Sequence, residues 1–344
     1  YLGATHLVGR AGYAFAQQSW KYGLEVEQPL TASKAWSVGA EIHRAILSRE
    51  GEQPFGLGSN TFFSLFTKKD PSDYFDGEGF SLYTRQKVGD ELSVELRYLD
   101  EQQRSVKVNT EFSLFNPSAR FRPNPLILDG HMRSTAILLR YDTRKLIQFG
   151  PFNVPDETYD SWNVSADVEY ADQPLLKSDF TFLRSSLMVH VRKHLLGDRS
   201  FSLYARVGYA GHALPPQRLF DLPYGSNDLV PLGAFKTLSV KEFAGDRMAQ
   251  LMLEWNLSGM FFRYVNLPII RDLQFILCSG SGWSDLSPSS ARIQTVGFQT
   301  AKKLFHEAGF GLGNLPLGFR LDFTWRLTHR DGRNFQVTLG SPLF

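Results

Sequence analysis

The sequence predicts an all-β protein, a transmembrane antiparallel β-barrel of about sixteen strands, formed as a single domain by residues 1–344. Three observations carry that expectation. Apolar and polar residues alternate with a period of two along stretch after stretch, the mark of strands with one apolar face. The stretches run to about ten residues, the length a tilted strand needs to cross a bilayer, whereas strands of water-soluble sheets peak near five or six. Aromatic residues also sit on the apolar face, often near a strand end, where membrane barrels carry their girdles.

Taken in order, residues 20–27 read Trp-Lys-Tyr-Gly-Leu-Glu-Val-Glu, with every bulky apolar residue on one face and every charge or glycine on the other. The pattern returns with Trp36, Val38, Ala40 and Ile42 against Ser37, Gly39, Glu41 and His43, and with Leu92, Val94, Leu96 and Tyr98 against Ser93, Glu95 and Arg97. Val106, Val108, Thr110, Phe112 and Leu114 oppose Lys107, Asn109, Glu111 and Ser113. Trp162 to Tyr170 repeats the pattern, and Phe319, Leu321, Phe323, Trp325 and Leu327 oppose Arg320, Asp322, Thr324 and Arg326. The expected strands are 5–15, 19–29, 35–47, 59–67, 78–88, 91–99, 104–115, 131–142, 160–171, 178–194, 199–211, 247–260, 271–283, 305–314, 318–329 and 334–340. The longest connection, 212–246, holds Pro215, Pro216, Pro223 and Pro231 and is too long for a simple link. A second, 116–130, contains Phe121-Arg122-Pro123-Asn124-Pro125, whose prolines forbid a central strand.

Composition narrows the alternatives. No run of about 18 apolar residues occurs, so no spanning helix is expected. A soluble β-sandwich would alternate too, and strand length and aromatic placement favour the barrel over it. The 37 basic and 35 acidic residues nearly balance, which argues against a nucleic-acid footprint. One cysteine excludes an intramolecular disulfide framework. The start at Tyr1-Leu2-Gly3-Ala4, without Met or a signal-like region, implies a processed or truncated N-terminus.

The long loop carries Val240-Lys241-Glu242-Phe243, followed by Gly245-Asp246-Arg247 and Leu253-Glu254-Trp255. The thirteenth expected strand runs from Phe275 to Cys278-Ser279-Gly280-Ser281-Gly282-Trp283. The chain closes with Ala308-Gly309-Phe310-Gly311-Leu312, a turn at 315–318, an Asp331-Gly332 loop, then Phe335, Val337, Leu339, Gly340 and a terminal Phe344. In this order the stretches resemble the barrel of the BamA/TamA superfamily, the bacterial surface antigen family. The resemblance implies that the sixth extracellular loop, 212–246 by this strand count, folds into the lumen, with Val240, Lys241, Glu242 and Phe243 and the wall residues Glu254, Cys278, Gly280 and Trp283 as the lumen contacts, and that the closing strand runs through Phe335, Val337, Leu339 and Gly340 toward Phe344. It also implies that the second motif residue is an arginine held by a Glu and an Asp of the wall. This chain offers Lys241, Glu254 and Cys278 at those places, a point charge in place of a planar fork and a thiol in place of an acid. Lys241 with Glu254 is then the expected lock, worth about 0 to 1 kcal/mol if the site is wet. The alternative is a solvated loop lysine beside an ordinary lumen glutamate.

Catalytic, metal and cofactor chemistry is not expected. His190 and His194 are four apart, but they lie on a strand, where they line the lumen or its rim. No nucleophile elbow, phosphate loop or dinucleotide fingerprint occurs. Cys278 reads as a small wall residue rather than a reactive thiol. The inward charges have both signs, which suits a plugged barrel, and Arg320→Leu is expected to be tolerated better than Phe323→Arg. The resemblance implies the bacterial outer membrane, contact with its lipid, and protein partners there or in the periplasm. A subunit or scaffold role is the first expectation, with an insertase or translocation barrel and a diffusion porin as alternatives.

Overall fold

The computed structural model describes the chain except residues 1–3, 16, 50–64, 67, 69, 71, 108–111, 113, 116–117, 119, 150–151, 157, 196, 226–232, 266–267, 296, 298, 317–318, 332 and 341–344. The strands in chain order are β1 (His6–Ala14), β2 (Ser19–Pro29), β3 (Trp36–Ser48), β4 (Tyr74–Val88), β5 (Leu92–Ser105), β6 (Gly130–Asp142), β7 (Leu146–Phe149), β8 (Phe152–Pro155) and β9 (Ser161–Ala171). They continue as β10 (Phe182–His194), β11 (Ser200–His212), β12 (Phe220–Asp221), β13 (Ala244–Gly245), β14 (Arg247–Asn256), β15 (Gln274–Asp285), β16 (Phe305–Gly313), β17 (Arg320–Arg326) and β18 (Phe335–Gly340). Fourteen form one antiparallel sheet in which each strand pairs with the next in sequence, and β7–β8 and β12–β13 are separate two-stranded ribbons. Among the described residues no backbone pairing joins β1 to β18.

The sheet holds fourteen strands where about sixteen were expected. The expected strand 59–67 falls mostly outside the described residues, and Leu65 and Phe66 within it are helical. The expected strand 104–115 required a turn after Leu99, but β5 runs on, with Asp100 opposite Arg133 and Glu101 opposite Met132. The run Asp100-Glu101-Gln102-Gln103-Arg104 is polar because it lies above the apolar band, not because the chain turns there. With two fewer strands, the 212–246 loop is the fifth connection at its end of the sheet, not the sixth.

Alternation builds two unlike faces. On β5 the outer face shows Leu92, Val94, Leu96 and Tyr98 and then changes to Asp100, Gln102 and Arg104. On β3 it shows Trp36, Val38 and Ile42 and then Arg44. Similar exposed apolar residues recur around the sheet, among them Leu82, Ile137, Trp162, Val168, Leu187, Val207, Leu251, Leu277 and Trp325. Such a continuous exposed band is far larger than a water-soluble surface carries. Its upper limit is a collar of charges, where Asp100 accepts from Arg133 at 2.8 Å and Glu78 from Arg104 at 3.3 Å.

The inner face is polar and mostly buried. Glu95, Glu101, Gln103, Glu307, Asp322 and Arg326 all lie there with little exposure. The described residues of the connection 213–246 pack on this face and touch strands far apart in the sheet. Gln217 donates to Gln103 of β5 at 3.0 Å, and Lys236 lies 3.3 Å from Asp322 of β17. One loop reaches both because the sheet curls around it.

Placing a charge on the outer band should unfold the barrel, whereas an equally large apolar change should not. Leu187→Arg, in mid-strand on β10, is expected to cost about 2 to 4 kcal/mol and Leu187→Phe little. Retention of the compact, heat-modifiable form on cold electrophoresis after folding into lipid checks both.

Candidate functional site: the loop seated on the inner wall

The seat begins at the loop's stalk. Phe220–Asp221 pairs with Ala244–Gly245, and the Leu222 amide donates to the Phe243 carbonyl at 3.0 Å. Gly245 is required there, because a Cβ would stand 2.2 Å from the Asp285 carbonyl oxygen. Asp246 is fully buried. It accepts from the Ser287 amide at 3.1 Å and from the Ser290 hydroxyl at 2.6 Å, tying the stalk to the helical turn Pro288–Ala291.

Above the stalk, rings on the loop fill hollows left by glycine on the wall. Phe220 covers Gly208, where a Cβ would meet the ring at 2.8 Å, and Phe235 covers Gly280 and Gly282, at 2.9 and 2.8 Å. Phe243 is buried against Phe305 and His329, with ring centroids 6.1 and 5.3 Å away. Val240 packs beside this cluster with Leu222, Leu238 and Met248. Burying each ring contributes about 1.5 to 3 kcal/mol.

Polar contacts fix the position. The Glu307 carboxylate accepts from the Lys236 and Thr237 amides at 2.8 and 2.9 Å and from the Thr237 hydroxyl at 2.7 Å. Arg326 donates to both oxygens of Glu242 at 2.8 Å and to the Thr237 carbonyl at 2.7 Å. Arg218 lies 3.3 Å from Glu169. Asp221 joins Arg49, and Asp73 lies 3.3 Å from the same guanidinium.

Lys241 belongs to this last group. Its ammonium is 3.2 Å from Asp221 and 3.4 Å from Asp73. Burial, with Arg49 alongside, draws the ammonium well below the usual lysine range. Burial also pushes the Asp221 carboxyl up against the pull of Arg49. The expected Lys241–Glu254 lock is therefore replaced. Glu254 instead accepts two hydrogen bonds from Arg320, at 2.8 and 2.9 Å, with Lys236 at 3.4 Å. Arg320→Leu would leave Glu254 without its bidentate partner.

The other sequence candidates divide by face. Cys278 is half-buried on the inner side directly opposite Glu254, and Gly280 receives Phe235. Trp283 was expected as a lumen contact, but it alternates with buried Gly282 and Ser284 and so lies on the outer face. Phe335, Val337 and Leu339 share the outer side of β18, and Gly340 pairs with Arg320. Phe344 lies outside the described residues. Sequence reasoning missed Lys236, Asp221, Asp73 and Arg49, which stand in connections with no periodicity to mark them. Ser281 and His306 hydrogen-bond at 2.8 Å across β15 and β16 on the outer face. No carboxylate orients the imidazole among the described residues, so the contact satisfies two polar groups and assembles no nucleophile.

Against known proteins, the chain resembles the crystal structure of BamA from Haemophilus ducreyi lacking POTRA domains 1–3, at a TM-score of 0.52 and 12% identity. The match covers 93% of this chain and 61% of that one, so the chain spans about three fifths of its length. The outer membrane protein opdK from Pseudomonas aeruginosa aligns at a TM-score of 0.31 and 10% identity, over 93% of this chain and 85% of that one. No family model matches, and no curated protein sequence matches. The fold is that of an outer-membrane β-barrel.

Two double-mutant cycles test the seat. Lys241→Met with Glu254→Gln is expected to be additive within about 0.5 kcal/mol, whereas Lys241→Met with Asp221→Asn should couple by about 0.5 to 3 kcal/mol. Denaturant unfolding of the reconstituted protein measures both. Gly280→Val should displace Phe235, and tryptic cleavage after Lys236 and Lys241 should become faster.

Proposed function

We propose that this chain is an integral barrel of the bacterial outer membrane that serves as a structural subunit or scaffold of a protein complex, not as an enzyme or a diffusion pore. The exposed apolar band supports contact with outer-membrane lipid. The observation that carries the reading is the seated loop. A solute channel needs its polar wall free to exchange with water, and here Glu307, Arg326 and Glu169 of the wall are engaged by the loop. A barrel so filled offers its ends and its outer surface to partners rather than its interior.

A second reading is assembly or translocation of other outer-membrane proteins. It draws support from the fold likeness to BamA and from β1 and β18, each with a sheet neighbour on one side among the described residues.

Purification of the full-length protein from native membranes in mild detergent, followed by mass spectrometry, separates the two. Stoichiometric partners in the outer membrane or periplasm are expected. A solitary barrel would sink the subunit reading and make cross-linking of β1 to β18 the next experiment. In planar bilayers the wild-type protein should conduct weakly and a variant lacking 216–243 strongly. High wild-type conductance would favour a pore.

A further inference from the structure

We propose that the β14–β15 connection, in its described residues 257–265 and 268–273, is a membrane foot. It lies at the end of the barrel away from the loop stalk and seats Phe261 and Tyr264 in the interfacial layer of the bilayer. Arg263 and Arg271 then meet phospholipid phosphates. The inference rests on the reading of the apolar band as membrane-embedded.

A connection at a barrel mouth can fold under the lumen or over the outer wall, and this one folds outward. The Phe261 ring meets Phe275 at 5.1 Å, Phe275 stacks on Phe310 at 5.5 Å, and Phe310 stacks on Phe323 at 5.1 Å. Phe275, Phe310 and Phe323 alternate with the buried inner residues Ile276, Gly311 and Asp322, so all lie on the outer face. The foot thus continues the apolar band without a break.

The aromatic residues of the foot are exposed on a hydrogen-bonded backbone. Tyr264 is 83% and Phe261 54% exposed. Yet the chain beneath them is held, because the Phe262 and Arg263 amides donate to the Gly259 carbonyl at 3.0 and 2.9 Å and the Val265 amide to Phe262 at 2.9 Å. The Asn256 side chain accepts from the Ser258 amide at 2.8 Å. Aromatic residues held outward at the edge of an apolar band suit the interface, where one part of a ring is dry and another wet.

At the same end Arg144 is paired with Asp142 at 2.6 Å and Lys193 with Asp160 at 2.8 Å. Arg263 and Arg271 are exposed, and among the described residues neither has a carboxylate within 4.0 Å. The Arg263 guanidinium lies 5.8 Å from the centre of the Tyr264 ring, so the charge is carried at the level of the interfacial aromatic. A planar guanidinium beside the interface matches a phosphate.

Spin labels in vesicles of phosphatidylethanolamine and phosphatidylglycerol test this. Single cysteines replace Tyr264, Leu187 in mid-band and Asp90 in the exposed β4–β5 turn, each in a Cys278→Ser background. Collision with oxygen, which concentrates in lipid, is compared with collision with a water-soluble nickel chelate. Leu187→Cys should read as lipid, Asp90→Cys as water, and Tyr264→Cys between them. Adding Arg263→Glu and Arg271→Glu should move position 264 toward water, shifting its seated-to-lifted ratio roughly fivefold for each basic charge lost, and leave position 187 unchanged. A water-like 264 beside a lipid-like 187 overturns the foot, leaves the membrane reading standing and makes this a surface for a protein. A water-like 187 overturns the membrane reading and the foot together. A lipid-like 264 that ignores the charge reversal overturns the phosphate contact.

Discussion

The polar inner wall, and its need for partners away from bulk water, is the constraint on which the rest of this structure depends. A strand with an apolar outer face turns its other side chains inward, so alternation fixes the composition of the wall before any function is chosen. Charges placed there are costly unless paired. The loop supplies partners at separate points: backbone amides and a hydroxyl for Glu307, a carboxylate for Arg326, a guanidinium for Glu169. Removing the loop strands these groups, and removing them strands the loop. Each is a condition for the other.

Apolar and polar contacts divide the work of seating. Phe220 and Phe235 fit over Gly208, Gly280 and Gly282, where any side chain would collide. Those contacts contribute most of the attraction and tolerate small slips. Hydrogen bonds to Glu307 and Asp246 do not, because they demand particular amides and hydroxyls at set distances. The rings hold the loop down, and the carboxylates set its register.

Alternation made most of the sheet legible in the sequence, since a one-residue slip would send a whole strand's apolar set inward. It failed at 100–105, where outward polarity looked like a turn although the strand continued above the apolar band. The seat was legible in its anchors and not in its pairs. Phe243 and Gly280 stood out as residue types, but partners in connections have no period to reveal them. The Lys241–Glu254 pair failed for a related reason. Arg320, an inward residue of β17, already holds Glu254 and Asp322, so the wall supplies its own guanidinium. Lys236 then reaches that cluster from the loop, and Lys241 turns to Asp221 and Asp73.

Strand length gives the loop's placement a further logic. β4 and β5 have 15 and 14 residues, whereas β16, β17 and β18 have 9, 7 and 6. A tilted strand needs about 9 to 11 residues to cross a bilayer, so among the described residues the wall is shortest where the sheet ends at β18. Among the described residues fewer ladder hydrogen bonds hold that edge. Glu307 and Arg326, two of the wall residues most heavily bonded to the loop, lie on β16 and β17. Arg320, at the start of β17, is clamped by Glu254 of β14. Inner-side contacts from the loop to Glu307 and Arg326, and from Glu254 to Arg320, thus brace strands whose described ladders are short.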